Sequence, residues 1–349
     1  MKILMFQDYF DKGGIEKVIL DIKKYIGSDY NIDILSMLNK SNENVILLLD
    51  KEYRSFFTRN ILGLRKYKKF LKNNNYDIIH IHCYNSFGLI YAFLARKYFK
   101  KIIIHAHSCD TNKDYFYIKH VINNIIKLLF NNKKYLYIAV SEESNRFCFN
   151  VNNCVILPNG IDYNKYYFNN YERIRYRKMF NIADNEIVIG NIGRFEIEKN
   201  HSFIIDVFDE ICKVKSNYKL VLVGEGTLKK EIKNKVKKLK LDSKVIILNN
   251  RDDISNFINM FDIALFPSIF EGFGITVVEN EVNGKYVFIS DKITNDVIIS
   301  NRVEVLSLNK DAKYWAKKII SINETVLELD NQLNMNNYIN KLRKIYEKN

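Results

Sequence analysis

Residues 186–203 read "EIVIGNIGRFEIEKNHSF". An apolar run ends at Gly193, two cations follow at Arg194 and Lys199, and helix-compatible residues open near His201. A short apolar run closed by glycine and followed by a helix is the pattern of a buried parallel strand feeding a crossover. The same unit recurs in both directions. Downstream lie "YKLVLVG", "KVIILN", "DIALFP" and "KYVFIS", and upstream "KILMF", "IDILS", "VILLL", "DIIHIH", "KIIIHAH", "YLYIAV" and "CVILP". Between the two series, residues 163–180, "YNKYYFNNYERIRYRKMF", are polar, aromatic and free of strand pattern. The chain is therefore expected to be α/β, with two Rossmann-like, doubly wound domains facing a central cleft. Residues 1–165 form the first and residues 166–329 the second, with a closing helix at about 330–349 able to pack back on the first. A length of 349 residues suits two cores of this kind.

Composition narrows the class. Hydrophobic residues at 47% and charged residues at 27% exclude disordered, coiled-coil and collagen-like chains. The cysteines, Cys83, Cys109, Cys148, Cys154 and Cys212, are scattered and form no CxxC pair, as reduced thiols of a cytosolic protein would be. The opening "MKILMFQDYF" has too short an apolar stretch for a signal peptide and reads as a first strand. "YIKHVINNIIKLLF" is interrupted by Lys119, His120, Asn123, Asn124 and Lys127, so no spanning helix is expected. A net charge of +14 favours an anionic partner. Basic residues interleave with apolar ones in "LRKYKKFLKNNN", "ARKYFKK" and "NNKKYLY", which suits an anionic membrane surface or a plain solvated face. No nucleic-acid-binding motif is present.

Candidate site residues fall after the strands. Gly13 and Gly14 sit at a strand-to-helix turn, where free N–H groups favour a diphosphate or where a tight turn alone is served. Arg194 and Lys199 supply a bidentate donor and a mobile charge, enough to hold a departing nucleoside diphosphate without metal, or a surface pair. Gly224 and Gly226 follow the next strand in a close-approach loop that lacks the third glycine of a dinucleotide fingerprint. The chain's two prolines, Pro158 and Pro267, each enter a loop directly after a strand. His80 and His82, like His105 and His107, share a strand face. Without a carboxylate at ligand spacing they suit substrate hydroxyls better than zinc.

In "PSIFEGFGITVVENEVNG", residues 267–284, Glu271 and Glu279 would lie up to about 12 Å apart along a helix. An acid/base pair flanking one glycosidic bond is about 5 to 9.5 Å apart, so the spacing favours grips on two ends of one nucleotide sugar. The amides of Gly272, Phe273 and Gly274 lie between them, and Glu281 is expected at the surface.

That stretch resembles the E-x7-E motif of retaining glycosyltransferases of the GT-B fold, family 4, and "GRFEIEKN" resembles the family's GR-x4-K element. Gly13-Gly14, "HAHS", "PNGID" and "VGEG" follow in family order, while "GGIEK" and "ISDKITNDVIISNRVEVLSL" are similar to the EpsF-like exopolysaccharide and capsule branch. The resemblance implies that Arg194 and Lys199, beside Gly193, hold the donor diphosphate, and that Glu279 bonds the ribose. Glu271, Gly272, Phe273, Gly274 and Ile275 would surround the donor sugar, with Gly224 close by. Gly14 would lie against diphosphate or acceptor, His105 or His107 would meet the sugar, and Arg251 would face the base. It implies a donor of UDP type, a glycan or lipid-linked acceptor, no metal or other cofactor, and a cytoplasmic enzyme peripheral to the inner membrane face. A UDP-sugar 2-epimerase of the same architecture, or a non-catalytic basic binder of membrane or polymer, are the rival readings. One departure stands out: "GKYVFISD" replaces the family's Gly-Leu-Pro turn and leaves Lys285 in an unassigned environment.

Overall fold

The computed structural model describes residues 1–10, 13–39, 44–49, 56–108 and 116–348. Cys109 lies outside the described residues. Two compact units emerge, Met1–Gly160 with Asn336–Asn349, and Ile161–Met335.

In the first unit the order is β1 (Lys2–Phe10), α1 (Gly14–Ile26), β2 (Asn31–Asn39), β3 (Ile46–Leu47), α2 (Phe56–Asn73), β4 (Ile78–Cys83), α3 (Phe87–Ala95), β5 (Lys101–Ala106), α4 (Phe116–Phe130), β6 (Leu136–Ala139), α5 (Glu142–Cys148) and β7 (Val155–Ile156). The second runs α6 (Tyr163–Tyr166), α7 (Asn170–Met179), β8 (Ile187–Ile192), α8 (His201–Cys212), β9 (Tyr218–Val223), α9 (Lys229–Lys238), β10 (Val245–Leu248), α10 (Ile254–Phe257), β11 (Ile263–Phe266), α11 (Ile275–Val282), β12 (Tyr286–Ser290), β13 (Val303–Leu306) and α12 (Ala312–Ile320). The last helix, α13 (Met335–Glu347), joins the first unit.

Both sheets are parallel, in the orders β3-β2-β1-β4-β5-β6-β7 and β10-β9-β8-β11-β12-β13. Strands such as Ile78–Cys83 are buried on both faces, which is why their apolar runs are continuous rather than alternating. Each order reverses once, between β1 and β4 and between β8 and β11. At such a reversal the crossovers leave in opposite directions and open a crevice beyond the strand ends.

Residues 161–165, placed by sequence with the first domain, belong to the second unit. Ile161 N donates to Leu333 O at 2.8 Å, and Met335 N donates back to Ile161 O at 2.8 Å. In the next segment Arg173 and Arg177 of α7 donate to the two oxygens of Asp262 at 2.6 and 2.8 Å, and Val188 N donates to the same carboxylate at 2.7 Å. The polar segment between the strand series thus anchors β8 and β11 rather than serving as a spacer. In the first unit, α13 buries Tyr338, Ile339, Leu342 and Tyr346, and Lys101 Nζ donates to Tyr346 O at 2.8 Å.

Sequence pattern omits β13, a short edge strand whose residues are mostly half-buried, so no continuous apolar run marks it. Glu281 requires a correction: it is fully enclosed, not at the surface, and its Oε2 accepts from Ile299 N at 2.9 Å. The chain around Ile299 covers a helix face that local spacing leaves open, and burial pushes the Glu281 carboxyl up to about 7. Lys285 is buried as well, donating to Asn259 O at 3.3 Å and lying 4.9 Å over the Phe168 ring. Burial pulls its ammonium down to about 7. Cys83 and Cys148 are buried free thiols. Among the described residues no helix is long and apolar enough to cross a membrane.

Candidate active site

The second unit brings three loops to the carboxyl ends of β9, β8 and β11, neighbours in the sheet. After β8 the chain turns at Gly193, makes a 3-10 turn over Ile197–Lys199, and enters α8 through Asn200. Asn200 has a left-handed backbone (φ 55°), tolerable for asparagine, and its Nδ2 donates to Pro267 O at 3.1 Å. Ile269 N donates to Glu198 O at 2.7 Å. The loops after β8 and β11 are thereby bonded to one another across the point where the strand order reverses. The β9 loop closes on the same place: a Cβ at Gly224 would lie 2.0 Å from Gly193 O, so only glycine allows that approach.

Across this junction Lys199 Nζ donates to Glu271 Oε1. Ser268 Oγ donates to the same oxygen at 3.1 Å, and Ser290 Oγ fixes Ser268 through its carbonyl at 2.5 Å. Arg194, whose side chain is 68% exposed, reaches Glu198 Oε1 at 2.9 Å. Both helices that begin here lack a side-chain cap. The α8 amide of Asn200 is spent on Pro267, and α11 starts at Gly274, whose φ of 88° is open to glycine. Elsewhere Ser141, Asn169 and Asp311 cap α5, α7 and α12 with their side chains. Two helix N-termini without side-chain caps, beside a lysine, are an arrangement that suits an anion.

Glu279 is buried just over one turn into α11, and Phe273 is buried in the loop before it. Gly272 and Ile275 lie on either side of the Phe273–Gly274 turn. Arg251 lies beyond β10, with its guanidinium on both oxygens of Asp253 at 2.7 and 2.6 Å and 4.9 Å over the Phe257 ring. The Arg251 hydrogen bond is the main cause that holds the Asp253 carboxyl down at about 2.

Sequence spacing gives no role to His201, yet it is buried two residues after Lys199, with its ring edge-on to Phe195 at 4.7 Å. Burial and then the Lys199 charge pull it down to about 3, so the imidazole beside the lysine is neutral. Ser268, Asn200 and Glu198 were also unmarked in the sequence. They are common residue types in a loop, and only the docking of two loops gives them a task.

In the first unit, Gly13 precedes α1 and the Glu16 carboxylate occupies the space beside it, 2.5 Å from where a Gly13 Cβ would be. Gln7 Nε2 holds that carboxylate at 2.6 Å. The negative end of a side chain already sits at the helix start next to Gly14. The four strand histidines form one buried cluster. Tyr346 Oη and His80 Nδ1 are 2.8 Å apart, and His82 Nδ1 and His107 Nε2 are 2.9 Å apart. Burial holds all four well below the usual imidazole range, His107 at about 3. His105 is fully enclosed, with no partner for either ring nitrogen among the described residues, while His107 is 9% exposed past the end of β5. Among the described residues His80, His82 and His105 form one group whose ligand atoms lie within 4.8 Å of one another and could hold a metal ion.

Known proteins show the same organisation. Residues 12–165 match the family model Glycosyltransferase Family 4, and residues 172–340 match the model Glycosyl transferases group 1. EpsF of Bacillus subtilis (strain 168) is 25% identical over 91% of this chain and 86% of its own length. The capsular polysaccharide biosynthesis glycosyltransferase CapH of Staphylococcus aureus is 24% identical over 99% of this chain and 98% of its own. A UDP-Gal:alpha-D-GlcNAc-diphosphoundecaprenol alpha-1,3-galactosyltransferase of Escherichia coli is 23% identical over 83% and 79%. Among solved structures, Anabaena HepE in complex with UDP and glucose matches with a TM-score of 0.81 at 17% identity, covering all of both chains. That likeness is one of fold, the GT-B architecture of two Rossmann-like domains.

Proposed function

The chain belongs to glycosyltransferase family 4, and from that premise we propose that it is a retaining enzyme moving a sugar from a UDP-linked donor to a lipid-linked saccharide in cell-surface polysaccharide synthesis. The observation that carries this reading is the Lys199–Glu271 pair set over the strand-order reversal between two side-chain-uncapped helix starts. A donor diphosphate entering there takes Lys199 and the α8 and α11 amides, which frees Glu271 to accept from sugar hydroxyls. Arg194, exposed at the rim, adds a second cation. As the bond from the anomeric carbon to the diphosphate breaks, charge builds on the diphosphate oxygen, where these donors are already aimed. The acceptor hydroxyl attacks from the same face and passes its proton to the departing diphosphate oxygen, so configuration is kept.

Of His105 and His107, the less deeply buried His107 is the one assigned to the sugar, and Glu279 and Arg251 to the nucleoside. The capsule and diphosphoundecaprenol relatives support the polysaccharide and lipid-carrier parts of the reading, and HepE with UDP supports the donor. Cations and amides at the diphosphate make a metal unnecessary, and the enzyme works at the cytoplasmic face of the membrane. A thermal-shift panel of nucleotides and nucleotide sugars is the test. UDP and a UDP-sugar raise Tm, with full transfer in EDTA; a response confined to another base, or activity lost on chelation, overturns the donor or the metal-free chemistry. Incubation with UDP-GlcNAc alone separates transfer from epimerisation, since a changed sugar without acceptor identifies an epimerase.

A further inference from the structure

We propose that α4 is the surface by which this chain docks on an anionic lipid bilayer, its outward aliphatic stripe seated among the acyl chains and the basic residues around its C-terminal end on the headgroups. The inference rests on the lipid-linked acceptor proposed above and assigns the place of contact.

The helix is held in a fixed orientation from inside. Asn123, buried, donates to Phe147 O at 2.7 Å and accepts from Ser86 N at 2.9 Å, and Ile126 packs beneath it. With that side anchored, Val121, Ile122, Ile125, Leu128 and Leu129 face outward, Leu128 at 85% and Leu129 at 64% exposure. Single exposed aliphatics are ordinary. Five within nine residues at i, i+4, i+7 and i, i+3, i+7 spacing form a continuous stripe along one helix face.

Charge identifies the partner. Residues 87–108 and 116–141 contain no Asp or Glu; the acidic residues next to them in sequence are Asp110 and Asp114 before α4 and Glu142 and Glu143 at the start of α5. Lys133 and Lys134 are exposed just past the end of α4. Arg96 is also exposed and lies 3.7 Å over the Phe93 ring, which meets Phe130 of α4 at 5.1 Å, so a third cation stands at the same end. A second copy docked on this stripe would bring further cations from these segments and no Asp or Glu of theirs to meet them. An anionic bilayer instead offers hydrocarbon to the leucines and negative headgroups to the lysines and arginine.

Flotation of the full chain tests this, using vesicles of phosphatidylcholine with phosphatidylglycerol beside phosphatidylcholine alone. Wild type floats with the anionic vesicles. L128S/L129S and K133E/K134E each reduce that partition by at least about tenfold, from lost apolar burial in the first and lost headgroup attraction in the second. The UDP-induced Tm shift is read in the same samples and stays at the wild-type value in both variants. Wild type that stays unbound, or variants that float as wild type does, overturns the proposal. A wild-type dimer that L128S/L129S converts to monomer also overturns it, by making the stripe a contact between copies. Vesicle binding without any UDP response would sink the transferase reading and leave the docking surface standing.

Discussion

Lys199 and Glu271 neutralise one another, so neither leaves a largely buried charge uncompensated, and the proposed reaction hands Lys199 to the departing diphosphate. Lys199→Ala is expected to reduce turnover by about 10²-fold or more, the scale for losing one donor to a developing oxyanion, with circular dichroism unchanged. Wild-type turnover would remove its leaving-group role. Two other charges report on folding. Glu281, raised to about 7, contributes stability that is present below its unfolded value of 4.5 and lost as pH rises toward 7. Lys285, lowered to about 7, contributes stability that is present above its unfolded value of 10.5 and lost as pH falls toward 7. Glu281→Gln, which keeps an acceptor for Ile299 N, should therefore raise Tm above pH 7 and leave it unchanged near pH 4. Lys285→Met should raise Tm most at pH 7 and below, with the gain shrinking toward pH 10. Tm profiles of the two variants with equal gains at every pH would contradict both assignments. Spacing could mark Glu271 and Lys199, because their distance along the chain is diagnostic. It could not mark Glu281 as buried, because its cover comes from residues 18 positions away.

At the scale of elements, strands were readable because burial on both faces forces continuous apolar runs, and β13 was missed because an edge strand is free of that demand. The loops behave differently, since their conformation is set by each other. Gly224→Ala would place a Cβ against Gly193 O, and it is expected to cost about 1–3 kcal/mol while weakening UDP binding. Chemical denaturation with a UDP titration checks both; an unaffected UDP affinity would mean that the β9 and β8 loops can part without consequence. The α13 helix makes a comparable dependence in the first unit. Deleting 336–349 strips the cover of Tyr338, Leu342 and Tyr346 from that unit and leaves His80 Nδ1 without its tyrosine partner. Proteolysis should then degrade the first unit while a fragment spanning 161–335 persists, and protection of both units would show α13 to be dispensable.

For the whole molecule, each unit carries its own core, one around Phe6, Tyr67, Ile81 and Tyr91 and the other around Phe195, Phe208, Leu222 and Trp315. Calorimetry is expected to resolve two transitions, with UDP at about 100 times its Kd stabilising the second unit by about 2.7 kcal/mol. Hydrogen exchange assigns the transitions to their units; a shift confined to the first unit would place the nucleotide elsewhere. By itself, the sequence determined the α/β class, the two strand series and the order of the GR-x4-K and E-x7-E elements, because buried strands and motif spacings are written in consecutive residues. Tertiary structure alone decided that residues 161–165 join the second unit and that α13 returns to the first. It also set Lys199 against Glu271, buried His105 and His107 in one histidine cluster, and turned the leucines of α4 outward. Each of these depends on which distant segment covers a side chain, and burial of that kind is a property of packed surfaces, not of neighbours in the chain.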